Sequence, residues 1–137
     1  MMSEELITSE NVSKELLKGI LDAAYMDTTF DSDGDLLIKE DINCFVLMSE
    51  KSDRIQFLAL FKIDPAAPQL QRLECANNIN SEYIVVRSFV GKNDSLRFTY
   101  DLLLAGGITK KAFVLAVKRF CSIPRQAMAE YGRDIMV

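Results

Sequence analysis

Residues 96–121 read LRFTYDLLLAGGITKKAFVLAVKRFC, a strand, a tight turn and a helix in immediate succession. Leu96, Phe98, Tyr100 and Leu102 alternate with Arg97, Thr99 and Asp101, the period-two pattern of a half-buried strand. Ala105-Gly106-Gly107 ends the alternation, and two glycines supply the backbone freedom that a tight strand-to-helix connection needs. Thr109 predicts the cap of a helix with Phe113, Ala116, Val117, Phe120 and Cys121 on its apolar side. Pro124 predicts a kink or break near Ser122, because proline has no amide to donate and its ring crowds the preceding turn.

Working outward, 83–90 and 96–102 form a hairpin through Gly91-Lys92-Asn93-Asp94. Upstream, Asp64-Pro65-Ala66-Ala67-Pro68 stops a sheet and predicts a helix capped by Asp64 with Pro65 in its first turn. Leu70, Leu73 and Ala76 would line its inner face; Asn77 and Asn80 continue that face, Asn77 in particular turned inward, and are expected to hydrogen-bond to nearby backbone. Strands at 36–39, 44–48 and 54–61 are separated by connections short enough for antiparallel hairpins. A short extended piece at 28–30 precedes them, ahead of the turn Asp31-Ser32-Asp33-Gly34. A first helix spans about 11–24, with Val12, Leu16, Ile20 and Ala23 or Ala24 inward and Ser9, Asn11 or Ser13 as its cap. The order α-β-β-β(-β)-α-β-β-α predicts an α+β domain: an antiparallel sheet of five or six strands with three helices.

The chain has 137 residues, 49% hydrophobic and 26% charged, the composition of one globular domain. We expect a single unit over 1–137 with its core at about 10–131 and flexible ends. No run approaches the ~20 apolar residues of a membrane-spanning helix. The opening MMSEELITSE lacks the basic and apolar regions of a secretory signal, which predicts a cytoplasmic location and no membrane partner. Residues 1–50 hold 12 acids and 3 bases, whereas 51–137 hold 13 bases and 8 acids, so a net charge of −4 conceals a polarised chain. Pairing across the domain, or an acidic and a basic face, follows.

The segment IQFLALFKIDPAAP (55–68), the helix with Asn77 and Asn80 near its end, and FTYDLLLAGGIT (98–109) with the following helix resemble the YbjN family of small bacterial proteins. The resemblance spans about residues 10–131 and is most distinctive at 98–109. Family members carry the label of sensory-transduction regulators, and the family's fold is similar to that of type III secretion chaperones, small dimers that hold partner proteins. The resemblance therefore implies a chaperone-like fold, a protein-binding role and a homodimer. It brings no family active site. An extra strand or partial strand before the second helix sets this chain apart from the chaperones.

The chemistry-bearing residues point away from catalysis. There is no histidine, so Ser-His and Cys-His nucleophiles are impossible and the commonest metal ligand is missing. Cys44, Cys75 and Cys121 are widely spaced and odd in number, which predicts reduced thiols, buried and inert at Cys44 and Cys121 and closer to solvent at Cys75. Asp31-Ser32-Asp33-Gly34-Asp35 fails the calcium-loop pattern, since Gly34 stands fourth from Asp31 where the loop wants glycine sixth. Gly106-Gly107 is not followed by the Lys-Ser/Thr of a phosphate loop. Lys111, Lys118 and Arg125, with Lys110 and Arg119, form a basic stripe on the last helix. An acidic chain without base-stacking aromatics reads this as a solvated face rather than a nucleic-acid footprint. The expected catalytic, cofactor-binding and metal sets are therefore empty. An enzyme using Asp31, Asp33, Asp35 or Asp101, a small-ligand binder, and a nucleic-acid-linked regulator are the alternatives.

Cys44-Phe45-Val46-Leu47-Met48 and Phe57-Leu58-Ala59-Leu60-Phe61 are apolar at every position, although an antiparallel strand with one wet face alternates. With Val46, Phe57 and Phe61 toward the helices, Phe45, Leu47, Leu58 and Leu60 lie on the other face, flanked by Ser49 and Gln56. Either a helix crosses to that face, or a second subunit or protein partner of unknown identity covers it. These four residues are the candidate partner or dimer surface.

Overall fold

The alternation in 96–102 and the run in 55–61 meet as the centre of one sheet. In the computed structural model, which describes residues 5–137, β4 (Arg54–Lys62) and β6 (Ser95–Leu103) pair antiparallel from Arg54↔Leu103 to Lys62↔Ser95. Before β4 come α1 (Lys14–Ala23), β1 (Thr28–Phe30), β2 (Leu36–Lys39) and β3 (Asn43–Met48). Between β4 and β6 lie α2 (Gln69–Glu82) and β5 (Arg87–Gly91), and α3 (Lys110–Cys121) and α4 (Pro124–Tyr131) close the chain. The sheet is wholly antiparallel, in the order β1-β2-β3-β4-β6-β5. The α+β architecture is the expected one, with six strands, and the helix after Gly107 breaks at Pro124 to give α3 and α4.

One face of the sheet supplies the core. Leu36, Ile38, Cys44, Val46, Ile55, Phe57, Ala59, Leu96 and Phe98 are buried there. The Phe57 ring stacks on Tyr100 and meets Phe113 and Phe120 of α3 at centroid distances of 6.1 and 5.7 Å. Leu17, Ile20 and Leu21 of α1, Cys75, Ala76 and Ile79 of α2, and Ala127 and Met128 of α4 join the same cluster. The ends are tied in as well: Ile7 bridges Ile108 and Ile63 bridges Met136, with Ile7 and Ile135 buried. The packed unit thus reaches beyond the expected 10–131 core. The first four residues of the MMSEELITSE segment lie outside the described residues. No helix among the described residues is long and apolar enough to cross a membrane.

Local chemistry explains where the expected elements shift. Ser13 caps α1, its hydroxyl accepting the Leu16 amide at 3.0 Å, and Leu17 and Leu21 rather than Leu16 and Ala23 form the buried stripe with Ile20. At its other end Tyr25 takes the left-handed position (φ 63°) where glycine is usual, with Tyr25 N–H donating to Asp22 O and Met26 N–H to Leu21 O. α2 begins at Gln69, not at Pro65. Pro68 is the reason: its ring excludes helical geometry at Ala67 and would strike the carbonyl four residues back. Residues 64–67 form a turn instead, with Asp64 accepting the Ala66 amide on its side chain and the Ala67 amide on its carbonyl. The strand expected at 83–90 shortens to β5 because Val85 sits at φ 67°, a conformation no β-branched residue takes within a strand.

Candidate functional site

The uncovered face of the sheet is the candidate site, and strand register decides its members. Because side chains alternate, pairing Phe45 with Leu58 and Leu47 with Gln56 places Phe45, Leu47, Leu58 and Gln56 on the face opposite Phe57 and Val46. Leu37, opposite Phe45, and Leu60, opposite Arg97, extend the patch. Leu60 is 45% exposed, Phe45, Leu47 and Leu58 are half-buried, and Phe89 of β5 is exposed at the patch border. None of these residues packs against the core cluster, which gathers all four helices. The helix that could have crossed to this face does not do so.

The polar residues of the face are asymmetric. Arg54 pairs with Asp101 at 3.1 Å, and Gln56 Nε2 donates to the same carboxylate oxygen at 3.1 Å. Arg87 lies over the Phe89 ring, 5.7 Å from its centroid. Arg97 crosses Gly91, where a Cβ would fall 2.3 Å from Nε. Arg97 Nε and Thr99 Oγ1 are shielded from solvent without a hydrogen-bond partner among the described residues.

The open edge of β5 is occupied. Asn80 of α2 acts as a substitute strand: its Oδ1 accepts the Ser88 amide at 2.8 Å and its Nδ2 donates to Ser88 O at 3.0 Å. Asn80 thus makes the backbone hydrogen bonds expected of it, whereas Asn77 is exposed, not inward. This edge cover is not legible from local pattern, since an asparagine near a helix end reads first as a cap or turn residue.

The other sequence candidates do not converge. Asp31, Asp33 and Asp35 belong to one turn in which Asp31 Oδ1 accepts the amides of Asp33 and Asp35 at 2.9 Å. Lys14 Nζ donates to Gly34 O in that turn at 2.7 Å. Asp101 lies apart on the open face. Among the described residues no three His, Cys, Asp or Glu side chains gather as a metal site. Gly106 and Gly107, at φ 80° and 79°, form the tight connection, and Thr109 caps α3 by accepting the Ala112 amide at 2.9 Å. The basic stripe divides: Lys110 and Lys111 line a cleft with Glu15, Lys118 lines another with Glu40 and Asp41, and Arg125 donates to Asp41 O.

All three thiols are free and buried, including Cys75, which the sequence placed nearer to solvent. Burial pushes Cys75 up to about 11. The neighbouring Cys121 sulfur and then burial hold Cys44 well above the ordinary thiol range. At neutral pH neither offers a thiolate nucleophile.

The profile of the YbjN family, described as "Putative bacterial sensory transduction regulator", matches residues 13–131. The chain belongs to the YbjN family. The YbjN structure from E. coli, described as a putative transcription regulator, superposes with a TM-score of 0.80 at 17% identity over 97% of this chain and 99% of that one. Two secretion-chaperone structures share the fold more distantly. The HopA1-SchA chaperone-effector complex gives a TM-score of 0.57 at 16% identity, covering 86% of this chain and 91% of that chain. The Yersinia pestis type III secretion chaperone SycH, in complex with a stable fragment of YscM2, gives 0.50 at 14% identity, covering 80% and 98%. No curated protein matches the chain. At these identities the likeness establishes the fold, a YbjN and type III secretion chaperone-like domain, and the expected resemblance holds across it.

Proposed function

We propose that this YbjN-family chain is a non-enzymatic protein-binding module, chaperone-like or regulatory, that holds a segment of another protein on the open face of its sheet. One observation carries the reading: every helix packs on one side, and Phe45, Leu47, Leu58 and Leu60 remain on the other. Fully burying a leucine or phenylalanine contributes about 1.5–3 kcal/mol, so a partner covering these four has a substantial driving force. The two chaperone neighbours were each solved with a bound protein, which supports the reading by analogy. A helix laid on the sheet fits better than a strand added at its edge, because Asn80 occupies β5 and β1 is three residues long. A second copy of the chain, making a homodimer, is the other occupant this face admits.

Substitution on the two faces separates binding from folding. Leu60→Asp, at an exposed position, should change the unfolding free energy measured in urea by only about 0.5 kcal/mol, and Leu58→Asp, half-buried, by more but well short of a core substitution. Phe57→Ala, one residue away but in the core, should cost about 3–5 kcal/mol. The Asp variants should also lose the partner captured by tagged wild-type protein, or the dimer seen by light scattering. Unfolding of Leu58→Asp to the degree of Phe57→Ala, or retention of partner and dimer by both Asp variants, would overturn the proposal.

A further inference from the structure

The open face carries a charge opposite to that of the whole chain. Register puts Lys39, Arg54, Lys62, Arg87 and Arg97 on it, against a single carboxylate, Asp101, which Arg54 already engages. Among the described residues Lys39, Lys62, Arg87 and Arg97 form no ion pair. This cationic frame borders Leu37, Phe45, Leu47, Leu58 and Leu60 on a protein of net charge −4. Seven of the acidic residues of the first 50 positions lie outside the strands of this face: Glu15 and Asp22 in α1, Asp31, Asp33 and Asp35 in the turn after β1, and Glu40 and Asp41 in the connection between β2 and β3.

We infer that the occupant is an amphipathic helix of a partner protein whose apolar stripe is flanked by aspartate or glutamate. The inference rests on the protein-binding reading above and adds the partner's chemistry to it. An apolar stripe alone would fill the leucine patch but leave the unpaired cations in a drier setting, where each loses hydration without gaining a partner. Carboxylates on both flanks of the stripe supply those partners, and the positive potential steers them in. Arg97 Nε, which has no acceptor among the described residues, is the donor that a flanking carboxylate would engage once the side chain swings off Gly91. Size agrees: six strands about 4.8 Å apart make a platform ~24 Å wide, the length of a helix of about 16 residues. The aliphatic floor argues against a nucleic-acid strand, which would want successive aromatic rings to stack on and finds Phe45 and Phe89 alone.

The test uses two synthetic helical peptides of about 16 residues, with identical leucine stripes at i, i+3, i+4 and i+7, one flanked by glutamate and its twin by lysine. Binding to the intact protein is read by fluorescence anisotropy. The glutamate peptide should bind at least about tenfold more tightly than the lysine twin at low salt. The exposed pair Lys62→Glu and Arg87→Glu, with its fold checked by urea midpoint, should reverse that preference, and Leu60→Asp should weaken both peptides. Equal binding of the two peptides, still lost in Leu60→Asp, would overturn the acidic partner and leave the docking face standing. Binding of either peptide undiminished by Leu60→Asp would overturn both readings. Failure of the glutamate peptide beside tight binding of anionic vesicles or single-stranded oligonucleotide, lost in the charge-reversed pair, would assign the face to a membrane or to nucleic acid and overturn the inference. Absence of binding to every probe would overturn it too, leaving the docking reading to the capture experiment above.

Discussion

Arg72 shows what a single residue can hold together and why its role escapes a sequence reading. It is buried at the start of α2, where Nε donates to Ala67 O at 3.0 Å and Nη2 to Asp64 O and Pro65 O at 3.1 and 3.3 Å. Its other terminal nitrogen meets Asp94 at 3.0 Å, tying the turn before α2 to the turn between β5 and β6. The Pro65 and Pro68 turn has carbonyls that no helix satisfies, and the guanidinium supplies donors to three of them. That need for donors is the signal in the sequence, but an arginine between Gln71 and Leu73 reads as solvent-facing. Arg72→Met keeps most of the packing and removes every donor, so we expect a loss of about 1.5–3 kcal/mol from the lost charge-assisted hydrogen bonds. The Asp94 pair adds little because its acid is half exposed. Urea denaturation checks this, and an unchanged midpoint would mean that water replaces the guanidinium.

At the scale of elements, legibility followed the contrast between apolar and polar positions. α3 was readable because Phe113, Val117 and Phe120 are large and share one stripe, and all three are buried. α2, QLQRLECANNINSE, has few apolar residues, so its leucines suggested the wrong face: Leu70 and Leu73 are exposed, and Arg72, Cys75, Ala76 and Ile79 point inward. The four apolar residues of the outer face were legible because two strands lack the alternation that solvent imposes on such a face. Whether a helix of the chain itself covers them was not, since that depends on which side the helices take. α2 is also clasped to α4 by a crossed pair that no local pattern announces. The Tyr131 hydroxyl donates to Glu82, and the Tyr83 hydroxyl donates to Glu130 at 3.1 Å. The Glu82 carboxylate, accepting from Tyr131, pushes that phenol from 10 up to about 12. Partial burial and then Glu130 raise Tyr83 as well. A phenol whose folded value lies above its unfolded value stabilises the fold fully below pH 10 and loses that contribution as pH rises through about 12. Tyr131→Phe should therefore be less stable than wild type at pH values below about 10, and the gap should close toward pH 12. Urea midpoints across that range test it; a gap independent of pH would show that the clasp is packing alone.

On the scale of the molecule, the six-stranded sheet has a helical layer on one side and an apolar, cationic platform on the other, and the two candidate occupants respond to salt in opposite directions. Two copies meeting face to face about a two-fold axis would bring five cations and one carboxylate against the same set, so like charges oppose while the leucines attract. An acidic helix meets the platform with opposite charge. Raising salt from about 0.1 M to about 1 M shortens the screening length from ~10 Å to ~3 Å, which removes repulsion in the first case and attraction in the second. Self-association through this face should therefore strengthen with salt, and capture of a glutamate-flanked helix should weaken over the same range. Light scattering and peptide titration on one preparation read both, with Leu60→Asp as the control that abolishes each. A dimer that weakens as salt rises, or that survives Leu60→Asp, would be built on another surface, and the open sheet face would then be left free for a partner in the dimer itself.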